Sequence, residues 1–369
     1  MFCCGSGAIG SLVGGRLFRT GMPVALIGRG PHLEAVRNSG LILEDGFDPG
    51  PLHAPAFTSV SEAVRELGAP EAVILAVKAY DVEGAVDELA QDLPAGTEPV
   101  VLCLQNGLGS EERAAARFPP ERVLAGAITL SVERPGPGRV RLLTDRGGLT
   151  VAPLGPEAAG GRKTQEGRGL GPGPHGRAQA ALVESLRAAG FGVRVYPRAD
   201  SVKWSKVLLN LWANATCAIF DLSPREVVAD PLLFRLDWLA FREALRVMER
   251  AGIPAVDLPG YPVRLLAALG RLLPEPLFRR LLGGRVVGGR GGKMPSFWID
   301  LQAGRDRSEV SFLNGAVVRC AGRLGLDAPA NKALAEALEA VAAGFLPRTH
   351  FAGRAESFSG LTGRGVHPQ

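Results

Sequence analysis

Three polar residues recur at a spacing of four along an otherwise apolar stretch. Lys206, Asn210 and Asn214 lie within residues 202–220, where most other positions are Leu, Val, Ala or Trp. Positions i, i+4 and i+8 share one helix face, because each step of four residues adds about 40° to a full turn. The pattern predicts one buried helix over 202–220 with a polar face that lines a cleft; a solvent-facing stripe is the alternative.

A lysine beside two amides suits the reduction of a carbonyl group. Hydride reduction needs a proton donor at the carbonyl oxygen, and a lysine can serve when partial burial lowers its pKa. Lys206 is the candidate donor. The amides of Asn210 and Asn214 are candidates for hydrogen bonds to the hydroxyl and carbonyl groups of the substrate.

A second polar set follows in residues 295–315, which read as helix, break, helix. Ser308 is the predicted N-cap of the second of these helices, with Glu309 in its first turn. Taken alone, Glu309 is explained by the preference for acids near helix N-termini. Surface exposure alone explains Ser296 and Asp300 equally well.

The chain begins with a glycine motif that indicates a dinucleotide site. Residues 5–10 read Gly5-Ser6-Gly7-Ala8-Ile9-Gly10 and match G-x-G-x-x-G, followed by a helix pattern over 11–19. The three glycines would permit the tight turn, the approach of a pyrophosphate and close helix packing. The helix N-terminus offers N–H groups to phosphates. Only four residues precede Gly5, which is short for a central first strand, and a start upstream of Met1 is left open.

Short apolar runs at 24–27, 72–77 and 100–104 alternate with helical patterns. Such runs are typical of parallel strands buried on both faces. In the second half, long apolar helices are predicted over 232–248 and 334–345. The fold class predicted is an α/β Rossmann-type N-terminal domain with a parallel sheet, followed by an all-α C-terminal domain.

The residues after these strands indicate which cofactor binds. NAD enzymes commonly place an acid after the second strand, whereas this chain has Arg29, which can bind a 2′-phosphate. NADP is therefore favoured over NAD. Lys78 and Asn106 follow the runs at 72–77 and 100–104, at the strand ends where ligands of open α/β sheets bind. A solvated lysine and a simple Asn-Gly turn are the alternatives.

The chain has 369 residues, too many for one hydrophobic core. We predict an NADP-binding domain over 1–197, a helical catalytic domain over 198–347 and a tail over 348–369. Residues 155–177 are rich in Gly, Pro and basic side chains, which favours a flexible surface insertion.

Composition excludes several classes of protein. The net charge of +5 is modest, and four of the basic residues, Arg162, Lys163, Arg168 and Arg177, lie in the insertion rather than on a predicted helix or strand, so a nucleic-acid partner is not expected. The five cysteines lack the spacing of a metal site or a disulfide scaffold. No leader peptide or apolar span long enough for a membrane is evident. We expect a cytoplasmic protein without a bound metal and with a small-molecule partner; monomer and homodimer are both left open.

Together, these motifs resemble those of the ketopantoate (2-dehydropantoate) reductase family. The resemblance spans nearly the whole chain, and the set from Lys206 to Glu309 is far more specific than the glycine motif. Its motifs are Gly5-x-Gly7-x-x-Gly10, Arg29, Val77-Lys78-Ala79, Gln105-Asn106-Gly107-Leu108-Gly109, Trp204-Ser205-Lys206-x-x-x-Asn210-x-x-x-Asn214, Pro295-Ser296-x-x-x-Asp300, and Ser308-Glu309 with Phe312-Leu313-Asn314-Gly315.

The resemblance implies NADPH-dependent reduction of 2-dehydropantoate to (R)-pantoate, in the route to pantothenate and coenzyme A. It implies that Lys206 is the catalytic lysine and Glu309 the catalytic acid that holds the lysine and the substrate. The implied substrate-binding residues are Asn210, Asn214, Ser296, Asp300 and Asn106. The implied cofactor-binding residues are Gly5, Ser6, Gly7, Ala8, Ile9, Gly10, Arg29, Lys78, Asn106 and Glu309.

Three departures from the family pattern leave the substrate open. The interval between Asp300 and Glu309 is slightly long, residues 254–293 are enlarged and residues 155–177 are inserted. The same machinery could reduce another 2-oxo acid. A non-catalytic NADP-binding sensor is the alternative of a different class, and the presence of Lys206 with Glu309 argues against it.

Overall fold

The computed structural model of the chain describes residues 1–47, 50–144, 146–154, 173–288 and 293–358. The chain divides into two compact units. The first comprises Met1–Gln105, Gly109–Lys203 and Leu258–Tyr261. The second comprises Asn106–Leu108, Trp204–Asp257 and Pro262–Gln369.

The first unit contains eleven described strands in two sheets. The strands are β1 (Phe2–Cys4), β2 (Ala25–Ile27), β3 (Ile42–Glu44), β4 (Ala56–Phe57), β5 (Ala72–Leu75), β6 (Val100–Cys103), β7 (Val123–Ile128), β8 (Val132–Gly136), β9 (Arg139–Leu142), β10 (Leu149–Pro153) and β11 (Val193–Val195). Eight strands form the main sheet in the order β11-β10-β7-β6-β5-β1-β2-β4, and β3, β9 and β8 form the smaller sheet. In the main sheet only β7 and β10 pair antiparallel.

Both faces of the main sheet are covered. In β1, Cys3 packs in one hydrophobic cluster, whereas Phe2 and Cys4 pack in another. The covering helices are α1 (Ala8–Arg19), α2 (Pro31–Ser39), α3 (Val60–Leu67), α4 (Val82–Asp92), α5 (Ser110–Ala115) and α6 (Pro174–Ala188). Because side chains alternate between the faces of a strand, two-sided burial requires continuous apolar runs. The predicted Rossmann-type sheet is confirmed.

The second unit is helical, as predicted. Its helices are α7 (Ala199–Asn210), which begins in the first unit, α8 (Ala215–Phe220), α9 (Pro224–Ala229), α10 (Pro231–Arg250), α11 (Val263–Leu272), α12 (Glu275–Gly288), α13 (Ser296–Gln302), α14 (Asn314–Arg323) and α15 (Pro329–Ala342). Four buried aromatic residues form the centre of one part of its core. They are Trp212, Phe234, Phe241 and Phe278.

The single helix predicted over 202–220 is wrong, because α7 ends at Asn210 and α8 begins at Ala215. Ala213, between them, has φ of 49°. This left-handed conformation interrupts the helix, so Asn214 does not continue the face of Lys206 and Asn210.

Two segments predicted to be irregular contain helical or buried residues. Residues 155–172 of the insertion lie outside the described residues, but α6 begins at Pro174. Proline suits the first helical turn because its missing N–H needs no partner there. In the predicted tail, Phe358 is buried and its ring lies 5.5 Å from that of Phe220. Of the described helices, none is long and apolar enough to cross a membrane.

Candidate functional site

The glycine motif forms the turn between β1 and α1. Gly5 has φ of 99°, and a Cβ there would lie 2.4 Å from the backbone nitrogen of Val77. A Cβ at Gly10 would lie 2.1 Å from the Gly5 carbonyl oxygen. At Gly7, by contrast, a Cβ would meet no described atom within 4 Å. The turn is therefore tight on the protein side and open at Gly7, where a pyrophosphate could approach the first N–H groups of α1.

A chain of hydrogen bonds from Gly138 through His32 and Ser11 ends at Ser6 and supports this turn. The Gly138 amide donates to Nδ1 of His32, and Nε2 of His32 lies 3.0 Å from Oγ of Ser11. Since Nδ1 accepts, the proton of the neutral ring is on Nε2, which donates to Ser11. The Ser11 hydroxyl in turn donates to the Ser6 carbonyl oxygen at 3.2 Å. Burial, and to a smaller extent the charge of Arg134, lowers the pKa of His32 to about 4.

Arg29 and Lys78 lie just after strand ends, as predicted. The Arg29 side chain is 80% exposed, and its Nη2 lies 3.4 Å from Oε2 of Glu88. An exposed pair at this distance is weak, so the guanidinium can exchange Glu88 for a phosphate at little cost. Lys78 follows β5, is half-buried and immediately precedes the 3-10 helix Ala79–Asp81.

Gln105 is held by three hydrogen bonds in the first unit, two from its side chain and one at its backbone carbonyl. Its side-chain amide donates to the carbonyl oxygens of Leu75 at 2.9 Å and Val77 at 3.2 Å. Its own carbonyl oxygen accepts from Nζ of Lys203 at 2.6 Å. Nζ of Lys203 also lies 2.9 Å from Oε1 of Glu111. Burial raises the pKa of Glu111, and the Lys203 charge opposes that increase.

The next three residues, Asn106–Leu108, belong to the second unit. Oδ1 of Asn106 accepts from Nδ2 of Asn210 at 3.1 Å, and the Leu108 amide donates to the Phe312 carbonyl oxygen at 2.9 Å. Gly107 has φ of 87°, and a Cβ there would lie 2.3 Å from the same carbonyl oxygen. Only glycine fits this position without displacement of the backbone.

These contacts bring together three motifs that are distant in sequence. Asn106 contacts the helix that carries Lys206, and Leu108 contacts Phe312, the last residue of the 3-10 helix Glu309–Phe312. Glu309 is buried, and Lys206 and Asn210 are half-buried. Ser308 caps this 3-10 helix through Val310, as predicted. The second unit therefore assembles a candidate site around the 106–108 segment.

Asn214 has a position that the sequence pattern does not predict. Its Oδ1 accepts from the Phe297 amide, at 3.4 Å, in the first turn of α13. Phe297 follows Ser296, which begins α13, and Asp300 in the same helix lies 3.2 Å from Nε of Arg305. Asn214 therefore links the α7–α8 break to the helix that carries Ser296 and Asp300.

The break itself depends on a residue that sequence reasoning missed. A carboxylate oxygen of Asp237, which is 1% exposed, accepts from the Ala213 amide at 2.7 Å and the Thr216 hydroxyl at 3.2 Å. His32, Lys203 and Glu111 were missed as well. Only Lys203 had a sequence signal, since it lies three positions before Lys206 and seven before Asn210. No group of three or more potential metal-binding side chains occurs within the part of the chain that the structure describes.

Two family models match the chain. Residues 2–156 match the family described as "Ketopantoate reductase PanE/ApbA", and residues 198–342 match "Ketopantoate reductase PanE/ApbA C terminal". Together they cover most of both units, and the resemblance inferred from the motifs is confirmed.

Curated relatives and solved structures agree with these matches. The chain is 30% identical over 337 residues to a 2-dehydropantoate 2-reductase of Halobacterium salinarum, covering 90% of this chain and 95% of that one. It is 29% identical over 334 residues to the enzyme of that name from Pyrococcus horikoshii, covering 90% and 93%. A ketopantoate reductase structure from Ralstonia eutropha has a TM-score of 0.72 at 26% identity, covering 95% and 99%.

The same fold occurs in an enzyme with a different name. D-mandelate dehydrogenase, solved with NADH and anilino(oxo)acetate, has a TM-score of 0.72 at 21% identity, covering 93% of this chain and 98% of that one. At this identity the likeness concerns the fold alone.

Proposed function

The chain belongs to the ketopantoate reductase family and is an oxidoreductase of that type, and from this premise we propose that it reduces 2-dehydropantoate to (R)-pantoate with NADPH. The observation that carries the proposal is the 3.1 Å hydrogen bond between Asn106 and Asn210. It joins the segment after β6 to the helix of Lys206, within the same unit as Glu309. Ligands of open α/β sheets bind at strand ends, and carbonyl reduction needs a proton donor within reach of the substrate. A reductase therefore needs a segment that follows a strand to contact the helix of the proton donor.

Lys206 is the proposed proton donor, and Glu309 holds the lysine and the substrate in place. When bound, NADPH supplies a hydride to the carbonyl carbon. The carbonyl oxygen takes a proton from the Lys206 ammonium, so that the C=O group becomes a hydroxyl and the lysine becomes neutral. Effective proton donation of this kind contributes on the order of 10² to 10⁴ in rate.

Five side chains form the proposed substrate site: Asn106, Asn210, Asn214, Ser296 and Asp300. Because Oδ1 of Asn214 accepts from Phe297, its NH₂ group is the part proposed to reach the substrate. Ser296 offers a hydroxyl at the start of α13, next to Phe297, whose amide donates to Asn214. Amide and hydroxyl groups suit a ligand that carries hydroxyl and carboxylate oxygens.

The cofactor site is proposed from the residues that fit it. The turn of residues 5–10, open at Gly7, would hold the pyrophosphate, and Arg29 would bind the 2′-phosphate. Lys78, Asn106 and Glu309 are the other residues proposed to bind the cofactor. We expect this reaction to serve pantothenate and coenzyme A synthesis in the cytoplasm, with a small 2-oxo acid as the partner.

The test is NADPH oxidation, followed by absorbance, with 2-dehydropantoate, 2-oxoisovalerate, pyruvate and the aromatic 2-oxo acid that corresponds to mandelate. We expect the highest kcat/KM with 2-dehydropantoate. Lys206→Ala should lower kcat by on the order of 10² or more. Lys332→Ala, which changes a side chain that is 62% exposed on α15, serves as the matched control and should retain wild-type kcat.

Two results would overturn parts of the proposal. Preference for another 2-oxo acid would remove the substrate assignment and leave the reaction type. Wild-type kcat in Lys206→Ala would remove the proton-donor role.

A further inference from the structure

We propose that Lys203 is a positioning residue for this reduction: paired with Glu111, it fixes the backbone of Gln105 and thereby the reactive placement of Asn106. The inference rests on the proposed function of Asn106. Neither Lys203 nor Glu111 has a role in the mechanism described above, yet both are charged and buried in the first unit.

The burial of this pair requires an explanation. The Lys203 and Glu111 side chains are each 4% exposed, and Nζ lies 2.9 Å from Oε1. Taking two charges out of water costs free energy that their attraction often fails to recover, so apolar residues of similar volume would commonly stabilise a fold as well. A buried pair is therefore weak evidence for a stabilising role. Its better-attested use is to hold neighbouring groups in one arrangement.

The group held here is the Gln105 carbonyl. Nζ of Lys203 donates to it at 2.6 Å, while the Gln105 side chain donates to the Leu75 and Val77 carbonyl oxygens. The backbone is thus fixed on both sides immediately before Asn106. Because Glu111 lies in α5, just beyond Gly109, the ion pair also holds the far end of the 105–109 segment.

Helix α7 contacts this segment at two points. Lys203 and Asn210 are seven residues apart, which is about two turns, so they lie on one face of α7. Lys203 binds Gln105 and Asn210 binds Asn106. Lys206 lies on the same face between them, at i+3 from the first and i−4 from the second. The two contacts therefore fix how far along α7 the proton donor sits relative to Asn106.

Lys203 is not a second proton donor. It is 3% exposed, and its ammonium is occupied by the Gln105 carbonyl and the Glu111 carboxylate. Its effect on the reaction must pass through Asn106, which makes it a positioning residue.

The test uses the double variant Lys203→Met/Glu111→Gln in the full-length protein. Changing Lys203 alone would leave a buried, unpaired carboxylate and could prevent folding, whereas the double variant removes both charges at similar volume. The matched control is Asp45→Asn. It weakens another buried ion pair of the first unit, in which Nε of Arg16 lies 2.6 Å from Oδ2 of Asp45.

We expect kcat with the preferred 2-oxo acid to fall at least 10-fold in the double variant, while the Kd of NADPH, measured by its fluorescence, changes less than 3-fold. Asp45→Asn should lower the unfolding temperature but keep kcat within 2-fold of wild type. A double variant with kcat within 2-fold of wild type would overturn the proposal, as would an equal kcat loss in Asp45→Asn.

Hydrogen exchange of the peptide that covers residues 104–109 gives a readout that does not depend on turnover. This peptide should exchange at least 10-fold faster in the double variant than in the wild type. Its exchange rate should be unchanged in Asp45→Asn. If the wild type reduced no 2-oxo acid, the proposed function would fail. The exchange rate alone would then test whether the Lys203–Glu111 pair holds the segment in place. Unchanged exchange in the double variant would refute it.

Discussion

The hydrogen-bond chain of His32, Ser11 and Ser6 makes the stability of the first unit depend on pH. The pKa of His32 is about 4 in the folded chain, below its ordinary value of 6.5. Between these values the unfolded chain binds more protons, so the free energy of unfolding falls as the pH falls. The difference corresponds to ~3 kcal/mol in total, of which ~2 kcal/mol is lost between pH 7 and pH 5.

Replacing His32 by Gln isolates this contribution. A glutamine amide can donate to Ser11 and accept from Gly138 but does not titrate. Urea unfolding at pH 7 and pH 5 should therefore show that the wild type loses ~2 kcal/mol more than His32→Gln over this interval. An NMR titration of the wild-type imidazole should give a pKa of about 4. Equal losses in the two proteins, or an imidazole that titrates at its ordinary pKa, would refute the reasoning.

Three further changes test the geometry of the site. Arg29→Ala should weaken NADPH binding roughly 10-fold, because one charge-assisted contact is lost, and leave the Kd of NADH unchanged; equal losses for both cofactors would contradict a 2′-phosphate role. Gly107→Ala should lower both kcat and the unfolding temperature, because the added Cβ would clash with the Phe312 carbonyl. Gly96→Ala is the control, because Gly96 has φ of 81° and open space around it. This control should lower only the free energy of unfolding, by ~1 kcal/mol. Ala213→Val should reduce the free energy of unfolding by ~2 kcal/mol or more, since a β-branched side chain tolerates φ of 49° poorly, and Ala213→Gly should stay within ~1 kcal/mol of wild type.

Much of the first unit could be predicted from the sequence because its strands are buried on both faces. Apolar runs at 24–27, 72–77 and 100–104 predict β2, β5 and β6, and the observed strands Ala25–Ile27, Ala72–Leu75 and Val100–Cys103 lie within them. The runs extend past the strands because burial continues where pairing has ended. Val77, for example, follows β5 and packs at the edge of a core cluster.

Contacts between distant residues could not be predicted in the same way. The periodicity of α7 places Lys203, Lys206 and Asn210 on one face, but nothing in a single sequence indicates that Lys203 pairs with Glu111. The same limit applies to His32 and Gly138. Each partner is an ordinary residue for its local element, and only the fold brings the two together. The roles proposed for the candidate site residues themselves stay predictions.

The error at Asn214 has a physical cause that also indicates why the break exists. A continuous helix would have satisfied the local apolar pattern, yet Ala213 adopts φ of 49°, which costs ~1 to 2 kcal/mol for a residue with a Cβ. The Ala213 amide donates to the buried Asp237 carboxylate at 2.7 Å, and a hydrogen bond to a charged group contributes ~1.5 to 3 kcal/mol. The two effects are of similar size, so the break is maintained without a clear gain in stability. Its consequence is that Asn214 leaves the face of α7 and contacts the helix of Ser296. The strain at Ala213 is offset locally, and it redirects Asn214, a candidate substrate-binding residue. A requirement of the site therefore explains this strain better than a requirement of the fold.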